Sequence, residues 1–116
     1  MRKLKPTRPS WIDAELDALR AGPQIQSFEA LGRAENLLSG VAAAHLSSDE
    51  LQYALRLAAS GCQSAGRWLD GLQFARRLID LAQREHNPAA KIAPLAITSN
   101  IHSFLRNYHL ALRAAR

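Results

Sequence analysis

Residues that could carry catalysis or bind a metal ion are few in this chain, and their spacing matches no familiar chemistry. The histidines are His45, His86, His102 and His109. None of them belongs to a His-Glu-x-x-His pattern, and no group of cysteine and histidine has the spacing of a zinc site. His102 and His109 are seven residues apart, but we expect a break between helices near Arg106-Asn107 to separate them. The sequence therefore predicts no metal site and no cofactor.

The other reactive groups are better explained by structure than by catalysis. Cys62, the only cysteine, has no base close to it in sequence and lies on the apolar side of a predicted helix. We therefore expect a buried, inert thiol. Asp49 and Glu50 stand at a predicted helix start, where carboxylates interact favourably with the helix dipole. The glycines fall at predicted joints and helix contacts, not in a phosphate-binding loop. We predict that the protein is not an enzyme.

Positive charge is concentrated at the start of the chain. The protein has 15 lysine and arginine residues against 10 aspartate and glutamate residues, a formal net charge of +5. The basic residues within the first ten positions are Arg2, Lys3, Lys5 and Arg8. The rest of the chain is close to neutral, whereas a nucleic-acid-binding face needs clustered lysine and arginine. We predict a flexible basic arm at residues 1–9, and nucleic-acid binding through its basic residues is the alternative function.

The length and the hydropathy pattern predict a single all-α domain over residues 10–116. Of the 116 residues, 47% are hydrophobic, which is enough for one core. No segment alternates apolar and polar residues as a strand does, and none is long and apolar enough to span a membrane. A single cysteine cannot form an internal disulfide, which is typical of a reduced cytoplasm. We therefore expect a cytoplasmic protein without membrane contact.

Several helix boundaries are marked by local residues. Ser47 and Glu50 form the S-x-x-E pattern of a capping box. A break is expected near Ser39-Gly40, and Asn87-Pro88 is typical of a helix start. Pro94 should kink or restart the helix that follows. Together these signals predict five or six helices.

The stretch from Leu55 to Ala82 predicts two antiparallel helices joined at Gly66-Arg67-Trp68. Apolar residues recur three or four positions apart on both sides of the joint. They are Leu55, Ala58, Ala59, Cys62 and Ala65 before it, and Trp68, Leu72, Ala75, Leu78, Ile79 and Ala82 after it. Many of these residues are small, which allows the two helices to approach closely. The second helix is apolar on two sides, so we expect it to pack between neighbours with Leu72 in the core.

This hairpin resembles the tetratricopeptide repeat, in the broad form found in bacterial signalling proteins and regulators. The resemblance rests on the pattern Leu55-x-x-Ala58-Ala59-x-x-Cys62-x-x-x-Gly66-x-Trp68-x-x-Gly71-Leu72-x-x-Ala75-x-x-Leu78. Ala58 and Cys62 stand where the family usually has a leucine and an aromatic residue. The resemblance implies stacked antiparallel hairpins that form a short α-solenoid. An irregular helical bundle without a groove is the other architecture compatible with these helices.

A period of 40 residues is consistent with a repeat. Phe28, Trp68 and Tyr108 are each 40 positions apart, and repeat proteins show such fixed periods. Chance spacing in a chain rich in alanine and leucine is the alternative explanation. If Tyr108 begins a sixth helix, the last repeat is truncated at Arg116. We then expect either that two chains pair through their C-terminal helices or that the chain is the leading part of a longer array.

The resemblance further implies a concave groove lined by the first helix of each hairpin. Its outward positions in this sequence are Arg56, Ser60 and Gln63, followed by Asn100 and Ser103. These polar side chains could hydrogen-bond an extended peptide or the face of a helix, and they are equally compatible with ordinary solvated surface. The predicted function is protein–protein interaction with a protein or peptide partner. The setting implied is a sensory or regulatory part of a bacterial signalling protein, or a self-associating adaptor.

Overall fold

The computed structural model describes residues 8–21 and 28–114 of the protein, except for the side chains of Phe28 and Val41. The helices are α1 (Ser10–Ala21), α2 (Phe28–Leu38), α3 (Gly40–Ala44), α4 (Ser48–Ala65), α5 (Trp68–Arg84), a 3-10 turn (Pro88–Lys91) and α6 (Ile92–Ala114). All regular structure in the described residues is helical, so the all-α class is confirmed, and so is the break at Ser39-Gly40. Among the helices described, none is long and apolar enough to cross a membrane.

A small core joins α1 to α2 and α3. Ile12, Leu16 and Leu19 follow one another at spacings of four and three residues, so they share one face of α1, and all three are buried. They belong to one cluster with Leu37 on α2 and Ala42 on α3. This cluster holds α1 against one side of α2 and leaves the adjacent side, with Leu31 and Leu38, to pack against α4.

The two ends of α4 are closed by local hydrogen bonds. The Ser47 hydroxyl accepts the N–H of Glu50 at 3.2 Å, and Oε1 of Glu50 accepts the N–H of Ser47 at 2.9 Å, which confirms the predicted capping box. At the other end Gly66 has a φ of +76°, a left-handed conformation that favours glycine. The N–H of Arg67 then donates to the carbonyl of Cys62 at 2.8 Å. The chain turns directly into α5, so the predicted joint is confirmed.

Glycines allow α4 and α5 to lie close to their neighbours. A Cβ on Gly61 would stand 3.2 Å from Cβ of Leu31 on α2. A Cβ on Gly71 would stand 3.3 Å from Cβ of Cys62 on α4 and 3.0 Å from Cδ1 of Ile101 on α6. Helix α5 therefore packs between α4 and α6, which confirms the expectation that it has neighbours on two sides.

Leu72 lies at the edge of the core and not inside it. It is half-buried and packs against a cluster formed by Ala75 on α5 with Ile97 and Ile101 on α6. The reason is geometric, because Leu72 also lines an open groove between α5 and α6 and is covered by α6 only in part. The expectation that Leu72 is a core residue was therefore wrong.

Helix α6 runs without interruption from Ile92 to Ala114, which corrects the break expected near Arg106-Asn107. Residues 95–114 contain no glycine and no proline, so no residue in this segment has a strong tendency to end the helix. Tyr108 consequently lies inside α6, whereas Trp68 is the first residue of α5. The third member of the 40-residue series does not begin a helix.

The turn before α6 accommodates Pro94. Asn87 precedes the 3-10 turn and Pro88 begins it, in agreement with the predicted start. Pro94 therefore falls in the first turn of α6, where a backbone N–H has no partner within the helix. Its carbonyl accepts the hydroxyl of Thr98 at 2.7 Å. The helix restarts here, as expected.

Three arginines each bind two carboxylates and tie separate elements together. The sets are Arg8 with Asp13 and Glu50, Arg33 with Glu15 and Glu29, and Arg67 with Glu35 and Asp70. The contact between Arg67 and Glu35 is bidentate, at 2.7 and 2.8 Å, and joins α2 to the start of α5. Six of the ten carboxylates in the sequence are thereby neutralised within the fold.

Candidate functional site

One side of α4 carries the predicted groove residues. Arg56, Ser60 and Gln63 follow at spacings of four and three residues, so they share one face of the helix. Arg56 and Ser60 are exposed and Gln63 is half-buried, while the buried side of α4 holds residues such as Leu55 and Ala58. The predicted residues on α4 therefore stand on its solvent side.

A cleft of about 220 Å³ leads from this face of α4 to the start of α6. Its lining residues are Asp49, Gln52, Tyr53, Arg56, Leu78, Ala89, Ala90 and Ala93. The guanidinium carbon of Arg56 lies 5.7 Å from the centroid of the Tyr53 ring, a cation–π contact. Within the described part of the chain, Arg56 forms no ion pair. The cleft thus presents an arginine held by an aromatic ring and not by a carboxylate.

The two predicted residues on α6 are both exposed but point in different directions. Asn100 comes seven residues after Ala93, about two helical turns, so it shares the side of α6 that borders the cleft. Ser103 is rotated about 60° further around the helix axis. Asn100 is not among the residues that line the cleft, so only the helical spacing relates it to the Arg56 face.

Comparison with known proteins adds nothing to this geometry. No family model, no curated protein and no solved structure matches the chain. Function is therefore inferred from the shape, burial and charge of the described surface.

A larger groove of about 460 Å³ lies between α5 and α6. Its lining residues are Leu72, Arg76, Ile79 and Asp80 on α5, with Thr98 and His102 on α6. Leu72 and Ile79 are only half-buried, so the floor of the groove is apolar and open. The sequence did not reveal this groove as a site. The signal for it was the breadth of the apolar surface of α5, which α6 covers only in part in the described residues.

Aromatic residues gather where α6 passes the start of α5. Trp68 stacks with Phe104 at a centroid distance of 6.5 Å and meets the edge of Tyr108 at 6.3 Å. Phe104 is still 49% exposed and Tyr108 57%, and Leu112 beyond them is 50% exposed. Trp68 and Tyr108 of the 40-residue series thus touch each other, and the side chain of Phe28 lies outside the described residues. The last turns of α6 offer uncovered apolar surface.

Unpaired positive charge is concentrated on α5, the 3-10 turn and α6. Among the described residues of this segment, the basic side chains without a carboxylate partner are Arg76, Arg77, Arg84, Lys91, Arg106 and Arg113. Asp80 and Glu85 are the carboxylates there that form no ion pair, and Glu85 accepts the Ser48 hydroxyl at 2.9 Å. No aspartate or glutamate follows Glu85 in the sequence. The part of the chain that follows the basic arm is close to neutral in total, so its net charge does not show this asymmetry. The order of the charged residues in the sequence does show it.

One residue of the predicted basic arm, Arg8, forms ion pairs within the fold. Arg8 pairs with Asp13 and Glu50 and donates to the carbonyl of His45 at 3.3 Å. It is therefore engaged within the fold, in contrast to the solvated residue that the sequence suggested. The remaining predicted arm residues lie outside the described residues; they are Arg2, Lys3 and Lys5.

The surroundings of Glu50 and Cys62 displace their pKa values from the ordinary range. The hydrogen bond from Arg8 lowers the pKa of Glu50 from 4.5 to about 2. Burial raises the pKa of the Cys62 thiol from 9.0 to about 11, so that the thiol is protonated near neutral pH. Cys62 is completely buried, which confirms the prediction of its position. Across residues 8–21 and 28–114, no group of three or more histidine, cysteine, aspartate or glutamate residues is placed to hold a metal ion.

Proposed function

We propose that the protein is a protein–protein interaction module that binds a partner polypeptide along the cleft between α4 and α6. The state of Arg56 carries this proposal. Three other arginines each bind two carboxylates of the fold. Arg56 instead lines the cleft over the ring of Tyr53 and forms no ion pair among the described residues. A planar guanidinium that is positioned in this way can bind a carboxylate or a backbone carbonyl of another chain.

A tetratricopeptide-like arrangement of α4, α5 and α6 is part of the proposal. It is supported by the left-handed turn at Gly66 and by the contacts of α6 with both α4 and α5. In that family the first helices of successive hairpins lie side by side and line the binding face, and α4 and α6 would have these roles here. The resemblance favours a regulatory part of a signalling protein or a self-associating adaptor.

Capture of partners from a cell lysate tests the cleft. We expect the Arg56→Glu/Asn100→Ala variant to recover at least about tenfold less partner than the wild type, because an interface arginine is a frequent energetic anchor. Arg20→Glu is the matched control, since Arg20 is exposed on α1 and forms no ion pair with another described residue. Its recovery of partner should equal that of the wild type. Circular dichroism would verify that both variants are folded. Equal recovery by the wild type and the double variant would remove the cleft as the binding site.

Nucleic-acid binding is the second candidate function, and the unpaired cations of α5 and α6 favour it. The arm is tested with Arg2→Ala/Lys3→Ala/Lys5→Ala and not by deletion, because a deletion would also remove Arg8 from the fold. Retention of the protein on an anionic polymer would fall steeply with salt if phosphate contacts carried the binding. Loss of that retention in the triple variant would support the arm as the part of the protein that binds nucleic acid.

A further inference from the structure

The groove between α5 and α6 is lined by apolar side chains together with polar and charged ones. Leu72 and Ile79 form the floor, and both are half-buried. Arg76 on α5 and His102 on α6 stand on opposite walls. Asp80 is the only carboxylate among the lining residues of the groove.

Helical spacing extends this groove toward the start of α5. Leu69 is one turn before Leu72 and is 74% exposed, so it adds uncovered apolar surface next to that of Leu72. Leu105 is one turn beyond His102 and is half-buried. Arg106 is four residues beyond His102, so it continues the basic wall along α6. The extended groove is therefore a strip of apolar residues beside a row of positive or hydrogen-bond-donating groups.

The charge around the groove favours an acidic occupant. Arg76 and Arg106 have no carboxylate partner in the described residues. Residues 86–116 contain no aspartate or glutamate. Six other carboxylates are bound by Arg8, Arg33 and Arg67. Asp80 lines the groove four residues after Arg76 but forms no ion pair among the described residues, so the two arginines outnumber the one carboxylate here. A partner that brings its own carboxylates would satisfy the arginines that the fold leaves unpaired.

We propose that the α5–α6 groove binds an acidic amphipathic helix of a partner protein. This inference deepens the proposed interaction function and rests on it. A groove between two packed helices accepts a third helix, whose apolar residues at spacings of three and four would contact Leu69, Leu72 and Ile79. Its flanking carboxylates would meet Arg76 on one wall and Arg106 on the other.

The charge pattern argues against two other occupants. A second copy that paired α6 with α6 would bring Arg106 and Arg113 of both chains together, and such like-charge contacts are unfavourable. A nucleic acid would contact the arginines through phosphate but would leave the apolar floor without a partner. The acidic helix is the occupant that satisfies both the floor and the walls.

Fluorescence anisotropy with designed peptides tests this proposal. The probe is a labelled peptide of about 18 residues with leucines three and four apart and glutamates on both flanks. One control peptide has lysine in place of each glutamate, and another has the acidic composition in an order that is not amphipathic. We expect the first peptide to bind at least about tenfold more tightly than either control, because binding needs both the floor and the charge.

Two single variants locate the binding. Leu69→Glu should weaken binding of the acidic peptide by about tenfold, and Arg106→Glu by about fivefold. Both residues are exposed, so neither change removes a core contact, and circular dichroism would verify the fold. Arg20→Glu makes the same charge change as Arg106→Glu on distant α1 and should change affinity by less than about twofold.

Several results would overturn the proposal. They are absence of binding to the acidic peptide, equal binding of the two acidic peptides, and an unchanged affinity in Leu69→Glu. Self-association in sedimentation that is lost in Leu69→Glu would assign the groove to a second copy. Tighter binding of a single-stranded oligonucleotide or of anionic vesicles than of the acidic peptide, lost in Arg106→Glu, would assign it to that ligand.

The outcome is separable from that of the lysate experiment. If Arg56→Glu/Asn100→Ala abolishes partner capture while the acidic peptide does not bind, the interaction function stands and the groove assignment fails. If the peptide binds as expected while capture is unaffected by Arg56→Glu/Asn100→Ala, the groove stands and the α4–α6 cleft fails as the binding site.

Discussion

At the scale of single residues, the fold depends on arginines that each serve two carboxylates. Glu50 is a partner in one of these sets and also in a helix cap. Its carboxylate closes the capping box with Ser47 and binds Arg8 at 2.6 and 3.0 Å. The capping box could be predicted, since both of its partners lie within four residues. The pairing with Arg8 could not, because the two residues are 42 positions apart and no local pattern links them.

Glu50→Gln should lower the free energy of unfolding at pH 7 by about 1 kcal/mol, after allowance for solvent screening. The amide oxygen can still accept the N–H of Ser47, so the change removes the charge and keeps the cap. Since the folded pKa of Glu50 is about 2 and its ordinary value is 4.5, the stabilisation is present above pH 4.5 and is lost as the pH falls toward 2. Urea unfolding at several pH values measures it.

The difference in the free energy of unfolding between wild type and Glu50→Gln should therefore become smaller as the pH falls from about 5 to about 3. Asp17→Asn is the control, because Asp17 is exposed and forms no ion pair in the described residues. A difference that stays constant across this range would contradict the role given to the contact between Arg8 and Glu50.

At the scale of helices, the sequence predicted the elements whose limits are set by local chemistry. The start of α4, the turn at Gly66 and the break at Ser39-Gly40 all depend on residues adjacent to them. The break expected near Arg106-Asn107 rested on the 40-residue period alone, and neither residue ends a helix. The position of Leu72 was missed for another reason, because the direction of α6 across α5 decides which side of α5 is covered.

Two alanine substitutions compare a core residue of the α5–α6 contact with a residue of the open groove. Ile101 is completely buried against α5, so Ile101→Ala should lower the free energy of unfolding by about 2–5 kcal/mol. Leu72 is half-buried in the groove, so Leu72→Ala should cost about 1 kcal/mol. Chemical denaturation of both variants measures the difference. Equal costs for the two substitutions would mean that the groove is closed and part of the core.

At the scale of the whole molecule, charge is distributed in a way that composition does not reveal. Three arginines, Arg8, Arg33 and Arg67, pair with six of the ten carboxylates. The α5–α6 hairpin is left basic and partly apolar. Arg56 could be singled out from the repeat pattern because it stands on an outward position of a recognisable helix. The α5–α6 groove could not, since its walls come from residues 72–80 and 98–102, whose proximity depends on tertiary packing.

The central claim is that the open surface beside α6 receives another polypeptide. The most direct measurement is an amide chemical-shift titration of the labelled protein with the acidic amphipathic peptide. We expect the largest chemical-shift changes on α5 and α6, around Leu69, Ile79 and His102. The amide chemical shifts of α1 should not change. Shifts spread evenly over all helices, or confined to α1 and α2, would contradict it.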